Sequence, residues 1–139
     1  MPCIPLRCRF NNTKYGCHTG LTFLEILGNN ITGTIPAGFG NLAHLEYFSV
    51  SYNKLTSALP SELGNLTGLT YLDISGNNIT GTIPAGFGNL VQLELFSVFY
   101  NKLTSTLPIQ LGNLTDLTFL EISGNSITGI IPAEFGNLA

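Results

Sequence analysis

From Leu21 onward the chain repeats one arrangement of apolar and polar positions every 24 residues. In the first unit the apolar places are Leu21, Leu24, Ile26, Ile31, Ile35, Phe39 and Leu42. Leu24 and Ile26 alternate with Phe23 and Glu25, the period of a half-buried strand. Pro36 blocks ladder pairing, because proline has no N–H to donate, and turns the chain. Phe39–Leu42 predicts a short helical or 3₁₀ turn. A single unit cannot bury so many apolar side chains alone. Stacked units bury them against one another, which makes a continuous one-dimensional core.

The units are 21–44, 45–68, 69–92, 93–116 and the incomplete 117–139. A longer period is stronger still: Leu21–Gly68 and Leu69–Asp116 differ at only 11 of 48 positions. Late duplication of a two-repeat unit accounts for this. The two alternating patterns are LxxLxIxxNxITGxIPxxFGNLxx and LxxFxVxYNKLTSxLPxxLGNLxx. They resemble the plant-type leucine-rich repeat, found in receptor-like kinase ectodomains and polygalacturonase-inhibiting proteins. The match runs from Leu21 to Ala139 and fills the same registers in each unit. The resemblance implies an α/β solenoid: a leucine-rich-repeat superhelix with a parallel concave β-sheet. It also implies second short β-strands, the first near Thr32–Ile35, and 3₁₀ or helical turns on the convex side. Asn29, Asn53, Asn77, Asn101 and Asn125 form a ladder expected to satisfy backbone groups of neighbouring turns. Asn41, Asn65, Asn89, Asn113 and Asn137 form a second ladder, expected to be mainly structural.

Residues 1–20 do not fit the repeat. Cys8 and Cys17 stand just before the first strand, like the end of the N-terminal cap of plant-type repeats. The resemblance implies a Cys8–Cys17 disulfide. Cys3 is then left over, which suggests an intermolecular bond, a missing partner or a free thiol. No comparable C-terminal cap pattern follows Ala139. The expectation is a fragment of a longer array, or an end covered by another molecule.

Charge narrows the function classes. Charged residues are 9 % of the chain, against about 25 % in an average soluble protein. The net charge is −3, and beyond Leu21 two lysines face eight acids. A nucleic-acid partner, which wants a basic face, is therefore not expected. No apolar run reaches membrane-spanning length, and Met1–Phe10 lacks the apolar core of a signal peptide. Five Asn-x-Thr sequons occur, at Asn11, Asn30, Asn65, Asn78 and Asn113. Each is an acceptor for N-glycans only in a secreted chain. Sequons and cysteine cap together lead to an extracellular or cell-surface expectation.

Outward strand positions line the concave face. One stripe is Phe23, Tyr47, Tyr71, Leu95 and Phe119. Beside it run Glu25, Ser49, Asp73, Ser97 and Glu121. A third holds Leu27, Ser51, Ser75, Phe99 and Ser123, with Tyr52 and Tyr100 just beyond. Aromatics dominate binding hot spots. Phe23, Glu25, Tyr47, Tyr52, Tyr71, Asp73, Phe99, Tyr100, Phe119 and Glu121 are thus the candidate ligand-binding residues, suited to a partner with cationic groups. A second candidate surface is a threonine ladder: Thr32, Thr56, Thr80, Thr104 and Thr128, with Thr34, Thr82 and Thr106 two residues on. Rungs spaced about 4.8 Å, with i,i+2 residues about 6.7 Å apart, give a flat grid. Such a grid resembles the ice-binding face of antifreeze solenoids.

Catalytic chemistry is not expected. His18 and His44 have no cysteine or histidine partner at metal-ligand spacing. No glycine-rich phosphate loop follows a strand, and no base is placed to activate a serine. No cofactor is called for. The leading expectation is an extracellular module that recognises a protein or peptide on its concave face. The alternatives are a structural protein stacking end to end into filaments, and an ice-binding protein using the threonine ladder.

Overall fold

The computed structural model describes residues 20–139. The Cys8–Cys17 pairing, Cys3, the Asn11 sequon and the N-terminal cap lie outside the described residues.

Five three-residue strands form one parallel sheet: β1 Phe23–Glu25, β3 Tyr47–Ser49, β5 Tyr71–Asp73, β6 Leu95–Ser97 and β7 Phe119–Glu121. Their order in the sheet is their order in the chain. Each residue pairs with its equivalent 24 positions on, as in Leu24 opposite Phe48 and Leu72 opposite Phe96. The chain is therefore a solenoid whose rungs keep strict register. Two further strands, β2 Thr32–Gly33 and β4 Lys54–Leu55, pair on a second side. The ladder there continues as an isolated bridge between Ala58 and Thr80.

After each Ile-Pro or Leu-Pro corner comes a 3₁₀ turn: Ala37–Asn41, Ser61–Asn65, Ala85–Asn89, Ile109–Asn113 and Ala133–Asn137. Proline suits the entrance, because its φ is preset and its missing N–H would have no partner there. The turns stack closely. A Cβ added at Gly64 would lie 2.5 Å from the Gly86 carbonyl oxygen, and one at Gly88 2.5 Å from that of Gln110. Only glycine lets successive turns approach this far.

In the central repeat Leu69, Leu72, Ile74, Ile79, Ile83, Phe87 and Leu90 are all buried. Phe87 meets Phe96 of the next rung edge to face, with ring centres 5.9 Å apart. In the last unit the matching side chains Leu120, Ile122, Ile127, Phe135 and Leu138 are only half-buried.

The asparagine ladder is a backbone clasp. Asn77 Nδ2 donates to the Val50 and Ile74 carbonyls at 3.1 Å each. Its Oδ1 accepts the Leu55 N–H at 3.0 Å. Asn53, Asn101 and Asn125 repeat the arrangement. Corner groups that no strand satisfies find partners there, as burial requires. The side chains of Asn41, Asn65, Asn89, Asn113 and Asn137 are exposed, at the ends of the 3₁₀ turns.

Candidate functional site

The in-register sheet brings the expected aromatic stripe together. Phe23 stacks on Tyr47, with ring centres 4.3 Å apart and 15° between planes. Tyr47 stacks on Tyr71 at 4.1 Å and 12°. Parallel pairing at this rung spacing puts like rings face to face. Leu95 interrupts the row before Phe119, which is half exposed at 49 %.

Carboxylates flank the rings. Tyr47 Oη donates to Glu25 Oε1 at 3.1 Å. Burial, then hydrogen bonds and charge from Tyr71 and Glu25, push the Tyr47 hydroxyl well above the ordinary tyrosine range. The Ser75 N–H and Oγ both donate to Asp73 Oδ1. Ser75 Oγ also meets Ser97 Oγ at 2.6 Å. Ser123 Oγ donates to Glu121 in the same manner.

Two stripes differ from expectation. Ser49, Ser51, Ser75 and Ser97 were expected on the open face, yet they are 2 %, 1 %, 4 % and 7 % exposed. They are short side chains between long ones, so their neighbours cover them. They form buried hydroxyl pairs, with Ser49 Oγ and Ser51 Oγ 3.1 Å apart. Their signal in the sequence is the recurrence of serine along the concave stripes.

Tyr52 and Tyr100 stand at one edge of this face, 56 % and 63 % exposed. Both have a φ of 53°, the left-handed region. Gly28, Gly76 and Gly124 hold the equivalent corner in the alternate repeats, with φ of 68°, 65° and 71°. Phe99 meets Tyr100 edge to face at 4.7 Å. Tyr52, Gly76, Asn77, Asn78, Phe99 and Tyr100 enclose an open cleft of ≈ 450 Å³.

On the second side, Thr32, Thr34, Thr56, Thr80, Thr82, Thr104, Thr106 and Thr128 are exposed. They do not face their equivalents 24 residues on; the offset sets Thr34 toward Thr56, Thr82 toward Thr104 and Thr106 toward Thr128. The register there is offset by two residues, so Thr32 lies opposite Lys54 and Thr80 opposite Ala58. The Thr56, Thr104 and Thr128 hydroxyls donate to carbonyls of the preceding rung at 3.2–3.4 Å. Among the described residues no cluster of histidine, cysteine and carboxylates is arranged for a metal. No helix there is long and apolar enough to cross a membrane.

The family profile for a leucine-rich repeat region matches residues 9–139. Among curated proteins no sequence matches. The ectodomain of the Arabidopsis thaliana receptor kinase GASSHO1/SCHENGEN3, solved with CASPARIAN STRIP INTEGRITY FACTOR 2, superposes with a TM-score of 0.84. It is 38% identical, over 85% of this chain and 14% of that one. The Arabidopsis receptor kinase HAESA, solved with the peptide hormone IDA and the co-receptor SERK1, gives a TM-score of 0.83. It is 36% identical, over 86% of this chain and 20% of that one. A plant ice-binding protein gives 0.80 at 33% identity, over 84% of this chain and 38% of that one. The chain thus spans about a fifth or less of the two receptors.

Proposed function

The chain belongs to the leucine-rich-repeat family, and on that premise we propose that it is an extracellular recognition module. It binds a protein or peptide on its concave face and catalyses nothing. One observation carries the reading. The two near-identical 48-residue units differ at 11 positions, and five of these fall in the concave stripes, three within the strands and two just after them. They are Phe23/Tyr71, Glu25/Asp73, Leu27/Ser75, Tyr47/Leu95 and Ser51/Phe99. Each unit has only six stripe positions, so the concave stripes diverged while the apolar scaffold under them stayed fixed. A face that must fit a particular partner accumulates differences in this way. HAESA, a similar ectodomain solved with the peptide hormone IDA, supports peptide recognition as the task. The aromatic row supplies anchors. Glu25, Asp73 and Glu121 favour a partner with cationic groups.

The test is selection from a displayed random-peptide library against the oxidised, glycosylated protein. Tyr47→Ala with Tyr71→Ala should weaken the selected peptides about tenfold or more. Thr82→Val with Thr104→Val should leave them unchanged. Peptides indifferent to the concave pair would overturn the reading.

Ice binding is the second reading, favoured by the likeness to a plant ice-binding protein. The lysine opposite Thr32 and the hydroxyls tied to backbone count against a flat, regular grid. Thermal hysteresis lost in Thr82→Lys, and kept in the concave variants, would establish it.

A further inference from the structure

The cleft between Tyr52 and Tyr100 contains a potential attachment point of its own. Asn78 lines it, and Asn78-Ile79-Thr80 is a sequon. We propose that Asn78 carries an N-linked glycan whose first sugar ring seats in this cleft, between Tyr52 and Tyr100. The inference rests on the extracellular reading, because the acceptor is used only in a secreted chain.

The attachment itself is ordinary group transfer. Asn78 Nδ2 bonds to the anomeric carbon of an oligosaccharide carried on a polyprenyl diphosphate. The carbon–oxygen bond to the diphosphate breaks, the lipid diphosphate leaves, and one amide proton is lost to base.

The geometry favours a neutral ring as occupant. The lining residues are three aromatics, two asparagines and a glycine, with no charged group among them. Its ≈ 450 Å³ lies within the roughly 300–1,000 Å³ of small-molecule pockets. Sugar rings offer C–H faces to aromatic rings, and hydroxyl and acetamido groups to amides and phenols. The Asn77 side chain is already engaged with the Val50 and Ile74 carbonyls, so Asn78 is the amide left to take the sugar.

The walls are held in place. Asn78 N–H donates to the Leu55 carbonyl at 2.8 Å, and Asn77 N–H to that of Tyr100 at 3.2 Å. Gly76 N–H donates to the Phe99 carbonyl at 2.8 Å. The Tyr52 ring lies on Gly76 so closely that a Cβ there would sit 2.6 Å from Tyr52 Cδ1. Two tyrosines kept in a left-handed conformation, where the alternate repeats use glycine, mark side chains retained for a task.

The chain contains its own control. Gly28–Thr34 and Gly76–Thr82 are identical in sequence, so Asn30 and Asn78 sit in the same local motif. Asn30 is exposed and Asn78 half-buried; Phe99 lines the cleft with Asn78, and its equivalent in the rung after Asn30 is the short Ser51. The same sugar should thus be free at one site and seated at the other.

The experiment is secretion of the full chain from a glycosylating eukaryotic host. Glycopeptide mass spectrometry then follows native release by peptide:N-glycosidase. Asn78 should be occupied and released about five- to tenfold more slowly than Asn30. Tyr52→Gly with Tyr100→Gly should bring the two rates together. These substitutions install the residue that the alternate repeats already use at that corner, so the fold is retained. Occupied Asn65 and Asn113 with bare Asn78 overturn the inference alone. So does an Asn78 glycan released as fast as that of Asn30. A secreted chain bare at every sequon overturns the inference and counts against the extracellular reading as well.

Discussion

The odd and even repeats share one backbone but solve its corner differently. Odd repeats place Gly28, Gly76 and Gly124 in the left-handed corner, and Gly33, Gly81 and Gly129 in a second one. Even repeats force Tyr52, Ser57, Tyr100 and Ser105 into the same two conformations. A non-glycine residue there costs about 1–2 kcal/mol. The corner is therefore imposed from outside, by the asparagine clasp and the inter-rung hydrogen bonds. Residue preference does not create it. Once the scaffold fixes the backbone, a side chain can be carried there for its own sake.

If the clasp imposes the corner, removing it should harm both kinds of repeat alike. Asn77→Ala and Asn101→Ala should each cost about 3 kcal/mol or more, since each strands an N–H and carbonyls in the interior. Urea unfolding would measure this; a loss in only one repeat type would break the comparison. Next in size is the stacking of 3₁₀ turns, which both repeat types share. Gly64→Ala and Gly88→Ala should each cost about 1–3 kcal/mol by overpacking against the next turn's backbone, read as a lower urea midpoint. The corners themselves come third. Gly76→Tyr should destabilise by about 1–3 kcal/mol, with strain added to a site the Tyr52 ring already fills. Tyr100→Gly should change the unglycosylated protein by less than about 1 kcal/mol, because relieved strain offsets lost contact.

The smallest effect concerns pH and only the tyrosine end of the sheet. Tyr47 is held neutral in the fold, so its hydroxyl ionises at a higher pH folded than unfolded. That contribution is intact below the ordinary tyrosine value of about 10. It is lost as pH rises from there through the folded value. Tyr47→Phe should flatten the alkaline decline in thermal midpoint while leaving neutral pH nearly unchanged.

Much of this architecture was legible in the chain. Apolar periodicity gave the rungs, and recurring asparagines announced a ladder whose bonds the structure then supplies. The aromatic row of Phe23, Tyr47 and Tyr71 followed from strand alternation, because a strict repeat guarantees register. Three features were less legible. The serines at 49, 51, 75 and 97 alternate outward, yet the bulk of their neighbours buries them, and a pattern of directions carries no heights. The threonine ladder looked regular because equivalents are 24 apart. The second strands pair 22 apart instead, so equivalent threonines do not face each other. The cleft around Asn78 is lined by Tyr52 of one repeat and by Phe99 and Tyr100 of another, on either side of Gly76. No local motif encodes that meeting.

The near-identity of the two 48-residue units also bears on how the chain finds its shape. None of the 11 differences falls on a buried apolar position of the repeat. A growing stack in which one unit docks where the other belongs would thus meet the same interior, the same clasp and the same glycine turns. The nearest-neighbour energies of the interior cannot tell the two arrangements apart. What separates them is the length of connecting chain, which makes the adjacent rung the first to arrive. Correct assembly of such a solenoid is a matter of order of arrival, and slow dilution from denaturant should misthread it far less than refolding at high concentration.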